Sequence, residues 1–323
     1  GYIIPDVRFA RNKVIITDNL INKLDYIEIE GKYIDYVIEV DSIGEASGIV
    51  SGTTNITRDP IGLKIARDTA ILLNQLGYLK EGFSMQTGAG GTSLAVTNEV
   101  KKIMLDKGIK ASFASGGITG FFVDMLEEGL IKDLYDVQCF DLKAVRSYKE
   151  NNNHHGMSSS VYANPYDPKV IVNKLDFVIL GATEIDIDFN VNVTTTSMGD
   201  IIGGSGGHAD AAHGADLTVI TTNLLKSRLP IIQERVTTIT TPGKDVDVLV
   251  TERGIAINPR RVDLLKKLES SKINIVPIEE LLKIAHSIAG TPRKLKQSDK
   301  VVGLIRYRDG TIIDSLYQKW IIS

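Results

Sequence analysis

From about Ser51 to Gly290 strand-like and helix-like runs alternate along the chain, with glycine clusters where strand gives way to helix. That rhythm predicts a mostly parallel sheet with helices on its faces. Asp59-Pro60 opens a helix whose apolar residues, Leu63, Ile65, Ala66, Ala70, Leu72 and Leu73, recur near helical period. Strand-like Phe83–Thr87 runs into Gly88-Ala89-Gly90-Gly91, and a second helix is expected over Thr92–Lys107. Strand Ala111–Ala114 leads into Ser115-Gly116-Gly117-Ile118-Thr119-Gly120 and a helix over Phe121–Leu130, followed by strand-like Val137–Phe140. A polar, turn-prone stretch, Asn151–Pro168, reads as a long surface loop between two halves of the sheet. Phe177–Leu180, Leu217–Ile220, Val236–Ile239 and Val246–Val250 continue the strands, and helices follow at Pro259–Ser270 and Ile278–Ala289. Two further β runs flank Arg308-Asp309-Gly310, a hairpin signal. The implied organisation is an arm or the end of a preceding domain over 1–50, an α/β domain over 51–290, and a hairpin extension over 291–323.

Two glycine clusters, Gly88–Gly91 and Gly204-Ser205-Gly206-Gly207, lie more than a hundred residues apart, each beside a strand-like run. Glycine lets backbone N–H groups approach a ligand closely, so the pair suits an anion such as a phosphate, carboxylate or thioester oxyanion. Taken singly, each cluster reads more readily as a tight turn, and the pairing is what points to a site. The first lacks the third glycine and the downstream acidic residue of a dinucleotide fingerprint, and no cluster is followed by a Walker lysine. Nicotinamide cofactors and nucleoside triphosphates are therefore not expected.

The 323 residues carry a formal net charge of −3 with both signs interspersed, which gives no case for nucleic acid or an acidic membrane. No apolar run approaches a membrane span, and the start has no signal-peptide core. Gly1 stands where Met would, so the chain reads as a fragment or processed product. Cys139 is the single cysteine, which excludes an internal disulfide and suits a reducing compartment; it reads as a buried strand residue rather than a nucleophile. His154 and His155 fall in the polar stretch. His208, Asp210 and His213 match no strong metal spacing, and no metal is expected.

The longest informative stretch is Glu184-Ile185-Asp186, then Asn190-Val191-Asn192, then Gly203–Gly207, His208, Asp210 and Gly214-Ala215. It resembles the C-terminal half of CoA-transferases and acetyl-CoA hydrolases. With Ser51–Asn55, Thr87–Gly91, Phe113–Gly120 and Arg306–Gly310, the chain is most similar to one branch, the citrate lyase alpha chains, which are citrate CoA-transferases. That resemblance implies a missing first half of the chain. It also implies beta (lyase) and gamma (acyl carrier) partner chains in an oligomeric cytoplasmic complex, and a CoA thioester or the CoA-like prosthetic group of the carrier. In acetyl-CoA hydrolase relatives a catalytic glutamate follows the strand that here ends Gly117-Ile118-Thr119-Gly120, so glycine stands where the carboxylate would be.

The resemblance therefore implies direct transfer: the substrate carboxylate attacks the thioester, and backbone N–H groups stabilise the oxyanion. Gly206, Gly207, Gly120 and Asn192 are the expected catalytic residues. Gly88, Ala89, Gly90, Gly91, Gly116, Gly117 and Ser205 are expected to hold the CoA-like group and thioester. Citrate's carboxylates call for a cation, for which Arg146 and Arg235 are candidates. Glu184 and Asp186 read either as acidic catalysts or as satisfied strand residues. A hydrolase with Glu184 as nucleophile and a non-enzymatic sugar-phosphate sensor are the competing readings.

Overall fold

Phe177-Val178-Ile179-Leu180 and Leu217–Thr221 are β-branched and apolar without alternation, the pattern of strands covered on both faces. Both are fully buried in the computed structural model, which describes residues 7, 10–21, 27, 29–45, 55–88, 90–292 and 297–319. In chain order these residues form β1 (Val14–Thr17), β2 (Tyr36–Glu39), α1 (Pro60–Gln75), β3 (Phe83–Thr87), α2 (Gly91–Lys107), β4 (Ala111–Ile118), α3 (Gly120–Glu127), β5 (Ile131–Cys139) and α4 (Leu142–Glu150). Next come β6 (His154–Gly156), α5 (Ser159–Ala163), β7 (Phe177–Leu180), β8 (Glu184–Asp186), β9 (Val191–Asn192), α6 (His208–Gly214) and β10 (Leu217–Thr221). The rest are β11 (Leu225–Lys226), β12 (Leu229–Pro230), β13 (Ile232–Gln233), β14 (Val248–Thr251), β15 (Gly254–Ile257), α7 (Val262–Leu268), α8 (Ile278–Ala289), β16 (Gln297–Arg306) and β17 (Ile312–Lys319).

Eight strands form the main sheet in the order β15-β14-β10-β7-β3-β4-β5-β6, all pairs parallel except β14 with β15. From β3 the chain winds one way to β6; from β7 it winds the other way to β14. The direction reverses between β3 and β7, the place where open α/β sheets bind ligands. Side chains alternate across β7: Phe177 and Ile179 join the layer of α1 and α2, while Val178 and Leu180 join that of α5, α6 and α8. The fold is thus a mostly parallel α/β sheet with helices on both faces plus a C-terminal hairpin.

Local signals explain the elements nearest the switch. Asp59 caps α1, its carboxylate accepting from the Ile61 and Gly62 N–H groups, and Pro60 supplies the preset first turn. Gly108 ends α2 in the left-handed conformation at φ 66°.

Two expectations fail for identifiable reasons. The segment 151–168 is not a structureless loop: it holds edge strand β6 and helix α5, with His154, Met157 and Tyr162 buried. Val236–Ile239 is not a strand. Its N–H groups go to side-chain carboxylates instead: Val236 to Asp186 (3.2 Å), Thr237 to Glu184 (2.8 Å) and Ile239 to Asp314 (2.7 Å). Strand β15 and helix α4 carry no expectation from the sequence.

The hairpin β16–β17 is present and docks by its turn. Arg308 Nε donates to Asp210 (3.1 Å) on α6, and the Tyr307 hydroxyl donates to Asp245 (2.6 Å) beside His213 (3.0 Å). At the other end, β1 and β2 form a small parallel pair of their own.

Candidate active site at the switch of the sheet

The two glycine clusters meet at one place. Gly88, just past β3, donates its N–H to the Ile179 carbonyl of β7 (3.0 Å). His208 immediately follows the second cluster, and its Nε2 lies 2.9 Å from the Gly181 carbonyl just past β7. A carbonyl only accepts, so Nε2 carries the proton and Nδ1 accepts from the Thr241 hydroxyl (2.7 Å). Burial pulls the imidazole down to about 4, which keeps this neutral tautomer in place near neutral pH. Both loops are therefore tethered to the three-residue stretch Ile179–Gly181.

The glycines of these loops face space. Among the described residues, a Cβ added at Gly90, Gly181, Gly203, Gly204 or Gly206 would meet nothing within 4 Å, and one at Gly88 only Ser93 Oγ at 3.5 Å. Gly206 stands at φ 53°, a conformation that suits glycine. Gly91 is different, with the Asn55 carbonyl 3.0 Å from its would-be Cβ, so it is needed for close packing. Gly90 caps α2 without any side-chain acceptor, and the first turn of that 17-residue helix holds no acidic residue. Unlike α1, closed by Asp59, α2 has no side-chain cap among the described residues, which leaves its N-terminus suited to a negative charge. Ser205 is half-buried, its hydroxyl only 3.4 Å from the Gly206 carbonyl. Ala89, and Ser51–Thr54 of the resemblance, lie outside the described residues.

A second set of expected site glycines does not leave room, which corrects that expectation. A Cβ at Gly117 would sit 1.8 Å from the Phe140 ring, one at Gly116 (φ 101°) 2.9 Å from the Gln86 side chain, and one at Gly120 3.1 Å from Lys143. The Gly120 N–H is already taken by Asp141 Oδ2 (2.6 Å). These glycines serve close packing beside β4.

Asn192 is likewise occupied. Its Nδ2 donates to Glu184 (2.9 Å) and to the Thr195 carbonyl (3.1 Å), and its Oδ1 accepts from the Thr194 and Thr195 N–H groups. Its side chain holds Glu184 in place rather than facing a substrate. Glu184 is buried with its carboxylate on Asn192 and Thr237. Asp186 receives the N–H groups of Asp188, Asn190 and Val236, although burial still raises its pKa. Both acids are satisfied structural residues in this geometry.

The remaining candidates are spread out. His213 turns to Asp245 and Asp210 to Arg308, so neither joins His208 in a metal-binding group. Arg146 lies exposed on α4, away from the switch. Arg235 borders a cavity of about 500 Å³ with Glu184, Gln233, Thr237 and His286. Cys139 donates to Asp136 (2.9 Å), and burial pushes the thiol far above its ordinary range, which disfavours the thiolate a nucleophile needs.

Sequence reasoning missed the tether made by His208. It also missed Thr119 and Thr221 at the ends of β4 and β10. Their buried hydroxyls have no hydrogen-bond partner among the described residues. A threonine directly at a parallel strand's C-terminal end was the available signal.

Among the described residues the resulting edge offers main-chain N–H donors and open approach, while Glu184 and Asp186 are engaged by neighbouring groups, an arrangement suited to oxyanion stabilisation. The family model described as citrate lyase, alpha subunit (CitF), matches residues 1–319. The chain belongs to the citrate lyase alpha subunit family.

Within that family, the citrate lyase alpha chain of Klebsiella pneumoniae is 46% identical over 319 residues, covering 98% of this chain and 63% of its own length. That of Escherichia coli K12 is 44% identical over 322 residues, covering 98% of this chain and 62% of its own. Among solved structures, the citrate lyase alpha subunit of Streptococcus mutans, crystallised in complex with citrate, superposes with a TM-score of 0.93 at 42% identity, covering 99% of this chain and 63% of that one. This chain thus spans a little under two thirds of the length of these family members. No helix among its described residues is long and apolar enough to cross a membrane.

Proposed function

We propose that this chain is the acyl-transfer component of a citrate lyase, exchanging acetyl for citryl on an acyl carrier protein that bears a CoA-like prosthetic group, or on CoA itself. The observation that carries the reading is the convergence of two open glycine loops on Ile179–Gly181, in a chain of the citrate lyase alpha subunit family. Citrate as acceptor is supported by the Streptococcus mutans relative, whose structure holds it.

A citrate carboxylate attacks the acetyl thioester carbonyl. The thiolate leaves, and a mixed acetyl–citryl anhydride forms. The thiolate then attacks the citryl carbonyl of that anhydride and expels acetate, so citryl thioester and acetate replace citrate and acetyl thioester. Each attack places negative charge on a carbonyl oxygen, which the N–H groups at Gly206 and Gly207 are positioned to receive in this reading. The open first turn of α2, with Gly88, Gly90 and Gly91, holds the phosphate or pantetheine part of the carrier group. A lyase beta chain then cleaves the citryl thioester to oxaloacetate and acetyl thioester, and a gamma chain carries the acyl group. The α/β unit over 51–290 supplies the site, the hairpin region over 291–323 braces it, and the assembly works in the cytoplasm.

The test is formation of citryl-CoA and acetate from citrate and acetyl-CoA, using the full-length alpha chain. Hydroxylamine or borohydride trapping after incubation with acyl-CoA is expected to modify no carboxylate. A modified glutamate would overturn direct transfer.

A further inference from the structure

One constellation in the same sheet stands outside the proposed acyl-transfer site. Asp136 and Cys139 lie toward the C-terminal end of β5, and His154 opens the edge strand β6 beside it. Asp136 Oδ2 is 2.9 Å from Cys139 Sγ and 3.1 Å from His154 Nε2, and the three donor atoms lie within 4.8 Å of one another. Among the described residues this is the one group of histidine, cysteine and carboxylate so arranged. The His154 side chain is 0% exposed and that of Asp136 3%.

Hydrogen bonds alone would satisfy such a trio, but three features go beyond that. Thiolate, imidazole and carboxylate together are the donor set that zinc selects. The outward-facing atoms are held separately: His154 Nδ1 by Ser147 Oγ (3.0 Å), and Asp136 Oδ1 by the Gln138 N–H (2.6 Å). One donor atom of each residue is left to share a common point, the arrangement in which outer partners orient metal ligands. Asp136 and Cys139 also border a cavity of about 350 Å³, lined further by Gln138, Tyr148, Gly156 and Met157, which gives an ion a way in.

We propose that Asp136, Cys139 and His154 form a three-ligand site for a soft divalent cation of the zinc type, with a fourth position facing the cavity. Bonds of about 2.0–2.3 Å set tetrahedral ligand atoms roughly 3.5 Å apart. The Asp136 oxygen therefore needs to part from its two neighbours by only about half an ångström. As the ion binds, the thiol gives up its proton to solvent, and the His154 proton shifts from Nε2, where it faces Asp136, to Nδ1, which then donates to Ser147 Oγ. Three protein ligands leave the fourth position for water or for a small carboxylate or thiol.

Cobalt tests this directly, because thiolate bound to Co2+ gives a charge-transfer absorption and Cys139 is the only cysteine in the sequence. Chelator-treated chain is titrated with Co2+ and then with Zn2+. A charge-transfer band at one ion per chain, displaced by zinc, is the expected result. Cys139→Ser abolishes the band, and His154→Gln weakens zinc binding by at least about tenfold, with circular dichroism checking that each variant folds. No band in the parent protein overturns the proposal, as does zinc binding unchanged in both folded variants. Should the variants unfold, the parent band alone decides.

Discussion

Two groups of glycines sit on the same edge of one sheet and serve opposite purposes. Beside β4, the space a side chain would take at Gly116, Gly117 and Gly120 is already filled by Gln86, Phe140 and Lys143. In the loops around the end of β7, a side chain at Gly90, Gly181, Gly203, Gly204 or Gly206 would meet nothing within 4 Å among the described residues. One group lets protein pack against protein; the other leaves open space beside the backbone. Only the second group belongs to a candidate site. The glycine at 120 is therefore not room left by a lost nucleophile but a position closed by Asp141 and Lys143.

The sharpest way to break this contrast is Gly117→Val. It drives a branched side chain into the Phe140 ring and is expected to cost about 3 kcal/mol, read as a fall in the urea midpoint. An unchanged midpoint would mean that the filled glycines are not packing residues.

The strap under the open loops gives a pH signature. The pKa of His208 is lowered from 6.5 to about 4. Between those values the unfolded chain takes up a proton that the folded chain refuses, so stability held above about pH 6.5 declines as pH falls toward 4. His208→Gln, which keeps a donor for Gly181, is expected to flatten that window in denaturation midpoints measured against pH. A parent protein whose midpoint is already flat there would show that the tether is not buried.

Tyr307→Phe removes the hydroxyl shared by Asp245 and His213 and is expected to cost about 1 kcal/mol by urea denaturation. It loosens the brace on α6 while leaving every glycine in place. Smallest in stability is Gly204→Ala, expected to move the midpoint by less than about 0.5 kcal/mol. Its effect belongs to activity: acyl transfer by the full-length chain should fall while the fold is untouched. Equal activity would remove this loop from the site.

Much of the frame was legible in the chain itself. Phe83–Thr87, Phe177–Leu180 and the helix Ile278–Ala289 stand where their apolar patterns place them, because local burial and period decide such elements. The motifs around Gly88, Glu184 and Gly204 carried the family. What stayed hidden depended on distant partners. Val236-Thr237-Thr238-Ile239 has strand composition, yet its N–H groups are claimed by carboxylates fifty or more residues away. His154 looked like a loop residue because its partner, Asp136, lies in another strand. Nor can composition separate a filled glycine from an open one, since Phe140 reaches Gly117 only once β4 and β5 are aligned.

The docking of the hairpin turn has a consequence in time. Arg308 meets Asp210 across 98 positions of sequence, and Asp314 meets Ile239 across 75. Contacts of such long sequence separation form late, after their loop-closure entropy has been met. During synthesis the sheet can assemble as its strands emerge, but the support beneath the second glycine loop must wait until residues 307–314 have left the ribosome. Maturation of this edge of the sheet is thus coupled to completion of the hairpin, and a chain stalled before it would display the sheet without that brace.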